Sequence, residues 1–101
     1  MTPDEFIAEI KRTLPGLTHF SPVWHHKGED GPEIGVAVQS GRESSIPIVR
    51  TADRWRVNFC SNVDLLAAWK LGLDWAEHER RMYAKTARAM KRAMKPREVT
   101  Q

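Results

Sequence analysis

"SNVDLLAAWKLGLDWAEHERRMYAKTARAMKRAMK", residues 61–95, decides the fold. Apolar residues recur in it at helical spacing and it contains no proline. Ser61, with Asp64 three residues on, reads as the start of a helix closed by a capping box. One helix is therefore predicted from about residue 62 to about residue 95. Its first half carries a wide apolar arc of Leu65, Leu66, Ala68, Trp69, Leu71, Leu73, Trp75 and Ala76, suited to cover a sheet. Lys70, Asp74, Glu77 and Arg81 line the opposite side. In its second half Arg81, Lys85, Arg88, Arg92 and Lys95 step by four and three and fall within roughly 80° of one another. Met82, Tyr83, Thr86, Ala89, Met90, Ala93 and Met94 take the other side. The distal half is thus a basic ridge backed by a soft apolar face. About 33 helical residues span roughly 50 Å, against a radius of gyration near 13 Å for a chain of this size. Residues 80–95 are therefore expected to overhang the body, unless the helix bends at Gly72. Glu79, inside the apolar arc, marks the point where the helix leaves the core.

Upstream, the period changes. "EIGVAVQS" alternates Ile34, Val36 and Val38 with Gly35, Ala37 and Gln39, as a half-buried strand does. "DRWRVNF" repeats the pattern with Trp55, Val57 and Phe59 on one side. "SIPIVR" is a shorter strand, expected to be at an edge or irregular because of Pro47. "LTHFSPVWHHK" is a further strand interrupted by Pro22, and "GEDGPE" is the turn after it. At the start, Thr2 as N-cap, Pro3 in the first turn and Glu5 completing a capping box predict a short helix ended by Pro15-Gly16. Phe6, Ile7, Ile10 and Leu14 form its apolar face. The expected fold is α+β in a single domain over residues 1–101. It has a short N-terminal helix, a three- to four-stranded antiparallel β-meander and a long C-terminal helix packed on the sheet. Residues 96–101 are expected to be a flexible tail.

The 101 residues include a single cysteine, Cys60, so no internal disulfide can form. That count, and an N-terminus without the order of a signal peptide, predict a cytoplasmic protein. No apolar run is long enough for a bilayer, so no membrane role is expected. Charge is unevenly placed. Residues 1–60 carry seven Lys/Arg against eight Asp/Glu, and residues 61–101 carry nine against five. Between Arg80 and Arg97 stand eight basic residues and no acidic one. Such a ridge suits nucleic-acid phosphate or an acidic protein surface, beside the plainer role of a solvated face.

Catalytic and metal chemistry find little support. His25 and His26 are adjacent on a strand and point to opposite faces, and His19, His78 and Cys60 lack metal-site spacing. Cys60, placed by the expected helix start near a positive helix end, is the lone nucleophile candidate, and an ordinary half-buried cysteine is the simpler account. There is no phosphate-binding glycine loop and no cofactor motif. No enzyme activity, metal or cofactor is expected. Trp55, Trp69 and Trp75 fall on core-facing positions, and only Trp24 is open, so the sheet does not read as a base-stacking platform.

In "RWRVNFCSNVDLLAAWKLGLDWAEHERRMYAK" an aromatic-bearing last strand runs straight into a capped, alanine-rich helix. This layout resembles that of small phage and mobile-element accessory proteins, some anti-CRISPR proteins among them. The resemblance implies a non-catalytic inhibitor that docks on a large host nucleoprotein complex. The α-β-β-β-α order is also similar to double-stranded-RNA-binding domains, but Asp64 stands at the helix start in place of a lysine cluster. The first expectation is a protein-binding module whose partner meets Met82, Tyr83, Met90 and Met94, steered by the ridge. A second copy of the chain could meet the same face through Tyr83, Ala87, Met90 and Met94. The alternative is a nucleic-acid-binding module using Arg81, Lys85, Arg88, Arg92 and Lys95.

Overall fold

The computed structural model describes residues 1–29, 31–42 and 44–95, without the side chains of residues 80–82. Helix α1 spans Pro3–Thr13. It is followed by strands β1 (His19–Phe20), β2 (Trp24–Gly28), β3 (Gly31–Gln39), β4 (Ile46–Arg50), β5 (Trp55–Val57) and β6 (Cys60–Asn62). Helices α2 (Leu65–His78) and α3 (Arg80–Ala93) complete the chain. The architecture is α+β with an antiparallel sheet. β3 is paired on one side by both β1 and β2, and the order then continues β4, β5, β6.

Six strands replace the expected three or four, for local reasons. Pro22 splits the first strand: β1 pairs with Val38–Gln39 of β3, and β2 with residues 31–35. Between them Ser21 bridges the gap, its N–H donating to the Ala37 carbonyl and its hydroxyl accepting from the Ala37 N–H. The other extra strand comes from a tight hairpin. Val57 pairs with Cys60 across Asn58-Phe59, and Asn58 takes φ 56°, a left-handed conformation asparagine tolerates. Phe59 is therefore a turn residue, 78% exposed, and not the third core residue of a longer strand.

β4 lies inside the sheet, not at its edge. Pro47 is tolerated there because Ala37 directs both its polar groups to Ser21, which leaves Ala37–Pro47 a non-hydrogen-bonded pair. Pro47 faces the β5 side, where the strand has ended and its carbonyl accepts from the Asn58 N–H. The donor that proline lacks would have fallen on this last, one-bonded pair at the end of the ladder.

Ile34, Val36, Val38, Ile46, Ile48, Trp55 and Val57 join Phe6, Ile10, Leu14, Leu65, Ala68, Trp69 and Met90 in one apolar cluster. The capping box of α1 is present, and Phe6 stacks on Trp55 at 5.6 Å between ring centres. On the other sheet face, the Trp24 indole lies against Gly35, where a Cβ would come within 2.4 Å of it.

The C-terminal segment departs most from expectation. The helix begins after β6, with Asp64 and not Ser61 as N-cap, its carboxylate accepting from the Ala67 N–H at 2.9 Å. It does not bend at Gly72, which is buried against Val57. It breaks at Glu79, and α3 folds back along α2 in place of overhanging. A straight helix would leave Ala87, Ala89, Met90 and Ala93 in water, and the break buries all four. Fully burying a side chain such as Met90 stabilises by about 1.5–3 kcal/mol. The turn falls on the one polar residue of the apolar arc, Glu79, which stays exposed.

Candidate nucleic-acid interface

α3 is held by its end as well as its face. A helix leaves its last four carbonyls without intrahelical donors. Here all four have partners. The buried Trp69 indole Nε1–H donates to the Met90 carbonyl at 3.1 Å, and the Gly16 N–H donates to the Ala93 carbonyl at 2.8 Å. The Lys91 and Arg92 carbonyls accept from the Met94 and Lys95 N–H groups. Two tertiary donors thus fix the helix to α2 and to the segment after α1.

This seating sorts the residues singled out in the sequence. Met90 is fully buried, with the Asn58 side-chain amide 3.7 Å from its sulfur. Ala87 is buried, and Tyr83 and Met94 are half-buried. On the face expected to meet a partner, or a second copy, Met90 and Ala87 pack on the chain's own body. A helix that folds back must bury its apolar side first. Lys85, Arg88, Arg92 and Lys95 are exposed. The side chains of Arg81 and Met82 lie outside the described residues. The ridge is therefore what α3 turns to solvent.

Two cations are oriented by neighbours. Lys91, outside the predicted ridge yet exposed, pairs with Glu77 of α2 at 2.6 Å. Arg92 donates to the Ser40 carbonyl at 3.3 Å. Both contacts are partly solvated and fix geometry more than they add stability. From Lys85 to Lys95 the cationic face runs about 15 Å along the helix axis. B-DNA presents a phosphate about every 3.4 Å of axis on each strand, so three or four side chains can each meet one.

Other chemistry is not assembled. Among the described residues no group of three His, Cys, Asp or Glu is arranged to hold a metal ion. His25 registers opposite Ile34 and His26 opposite Glu33, so they sit on different sheet faces. Cys60 lies in β6, short of the start of α2, which removes the helix-end argument for a reactive thiol. Trp24, 39% exposed, is the aromatic on the outer sheet face, where Glu33 pairs with Arg56 at 3.6 Å. One ring beside a carboxylate is not a base-stacking surface. No helix among the described residues is long and apolar enough to cross a membrane.

Phe59 is the surface residue the sequence pattern misplaced. Its ring meets Trp75 edge-on at 5.4 Å, and Trp75 meets Tyr83 at 4.6 Å. Asn58-Phe59 between Val57 and Cys60 was the available signal, since asparagine favours the left-handed position of a two-residue hairpin. No protein-family model, curated protein or solved structure matches the chain.

Proposed function

We propose that the protein is a non-catalytic nucleic-acid-binding module that grips phosphates through the exposed face of α3. The observation that carries this reading is the sorting of one helix. Its apolar side is packed and its end pinned, while Lys85, Arg88 and Lys95 stand in water along one line. The fixed helix holds the stems of these cations in register for a regular polyanion, so only their side chains must be ordered on binding. Recognition of this kind reads charge and shape more than sequence.

Three or four phosphate contacts predict weak, salt-sensitive binding, with Kd of about 10⁻⁴–10⁻⁶ M at physiological salt. The slope of log K against log salt on duplex DNA should be about −3, so affinity falls roughly 40- to 150-fold between about 50 and 200 mM. Fluorescence anisotropy with a labelled mixed-sequence duplex measures this directly. The triple variant Lys85→Glu, Arg88→Glu, Lys95→Glu should abolish binding and leave the thermal midpoint nearly unchanged, because all three side chains are exposed. Binding that ignores salt, or survives the triple variant, would sink the proposal.

A second reading keeps the protein-docking inhibitor of the mobile-element kind but moves its face. Phe59 and Leu71 are 78% and 46% exposed, beside half-buried Trp75. A stoichiometric protein complex that survives nuclease and high salt, and is lost in Phe59→Ser with Leu71→Lys, would favour it.

A further inference from the structure

α2 and α3 meet at one residue. Glu79 has φ −87° and ψ 37°, against about −63° and −42° in an α-helix. Changing essentially the single ψ of Glu79 would continue one helix into the other. Two hydrogen bonds made by Glu79 itself keep helical spacing. The Glu79 N–H donates to the Trp75 carbonyl at 3.2 Å, and the Tyr83 N–H donates to the Glu79 carbonyl at 3.3 Å.

The Trp75 and Tyr83 rings meet across the bend at 4.6 Å, and no sequence signal enforces the break. Glu79 makes no side-chain cap bond, and the first turn of α3 has no acidic residue. The stretch Trp75–Lys85 contains neither glycine nor proline, the residues that normally stop one helix and start another. Its alanine, glutamate, arginine, methionine and lysine residues favour a straight helix. The bend therefore rests on the packing of α3 against its own body.

We infer that the chain exchanges α3 with a second copy of itself, straightening at Glu79 to form a swapped dimer. The occupant of the vacated seat is fixed by the structure, because α3 already fills that seat within one chain. A second copy's α3 restores the same bonds: Trp69 to the Met90 carbonyl, Gly16 to the Ala93 carbonyl and Glu77 to Lys91. No new complementarity has to be found, which is why short hinges under conformational conflict favour exchange. The one new contact is at the crossover. Phe59 lies against Trp75, four residues before Glu79, and the closed monomer leaves Phe59 largely exposed. The exchanged pair carries two cationic faces on one particle. If the nucleic-acid reading holds, that pair grips an extended polyanion by avidity; the exchange itself does not depend on that reading.

The test uses the full chain. Equal amounts of unlabelled and isotope-labelled protein are unfolded together in urea and refolded at low and at high concentration. Monomer and dimer are separated by size-exclusion chromatography with light scattering. A carbodiimide then couples Lys91 to Glu77, whose charged atoms are 2.6 Å apart, and mass spectrometry reads the coupled peptides. The expected result is a dimer fraction that rises with refolding concentration, with about half of its cross-links joining a labelled to an unlabelled peptide. The monomer should give same-isotope cross-links alone. Glu79→Gly keeps the N–H that donates to the Trp75 carbonyl in the closed monomer but weakens a continuous helix through Glu79 in both copies, and should cut the dimer fraction at least about fivefold. Absence of dimer at every concentration overturns the inference, as does a dimer with same-isotope cross-links only. So does a folded Glu79→Gly variant that dimerises as the parent does.

Discussion

Replacing Gly16 with alanine tests the folded-back position of α3 through the sign of the stability change. Gly16 is not in the left-handed region. In open space, alanine there would stabilise the protein by about 0.4–1 kcal/mol by restricting the unfolded chain. That is the outcome if residues 80–95 stood clear of the body as one straight helix. In the structure, a Cβ on Gly16 would lie 2.2 Å from the Arg92 carbonyl oxygen, 2.8 Å from the Ala93 Cα and 2.8 Å from the Lys95 carbonyl oxygen. All three are backbone atoms, so no rotamer change relieves them. Restoring ordinary contact at 3.4 Å moves the end of α3 by about 1.2 Å, the difference from 2.2 Å. That movement breaks the 2.8 Å bond from the Gly16 N–H to the Ala93 carbonyl. The lost bond costs about 0.5–1.5 kcal/mol and the overpacking about 1–3 kcal/mol. The expected loss is therefore about 2–4 kcal/mol, a large share of a typical domain's stability. Urea unfolding followed by tryptophan fluorescence gives the answer as a shift of midpoint at constant slope. A midpoint that stays put or rises would refute the seating of α3 on Gly16.

Two further outcomes follow from local geometry. Asn58→Ala should cost about 1–2 kcal/mol, because alanine resists the left-handed conformation that Asn58 holds at φ 56°. Asn58→Gly should cost less, and an equal loss in both, read from urea midpoints, would mean that the Asn58 contact with Met90 matters more than the turn. At α1, the Thr2 backbone N–H and then its hydroxyl hold the Glu5 carboxyl below the usual carboxylate range. A carboxylate depressed in the folded state adds stability above its unfolded pKa and loses it as pH falls through the folded value. The stability gap between the parent and Glu5→Gln should therefore close on acidification, and a gap independent of pH in urea titrations would contradict the capping-box account.

Much of the architecture was legible because it is written in local chemistry. Thr2, Pro3 and Glu5 form the capping box that their order predicts. Ile34, Val36 and Val38 alternate into the core as the period-two pattern requires. Pro22 interrupts the first strand where it stands in the chain. The errors came where two local patterns compete. Asn58-Phe59 continues an alternating strand on paper, yet it makes a tighter hairpin in space. Ser61 with Asp64 reads as one capping box, and the pairing of Cys60–Asn62 with β5 moves the helix start on to Asp64.

The candidate site divides in the same way. The sequence by itself determined that the last helical segment has one cationic side and one apolar side, since 100° per residue places the side chains whatever the helix does next. Only the tertiary structure decided which side meets water. Nothing between Trp75 and Lys85 calls for a break, and local propensity favours one straight rod. The break at Glu79 is decided by what lies far away in the chain: a buried indole at Trp69 that needs an acceptor, and a bare backbone at Gly16 that admits a helix end. Burying Met90 and its alanine neighbours outweighs the preference for a straight helix. That non-local balance put Met90, part of an expected docking face, into the core and left Lys85, Arg88, Lys91, Arg92 and Lys95 exposed.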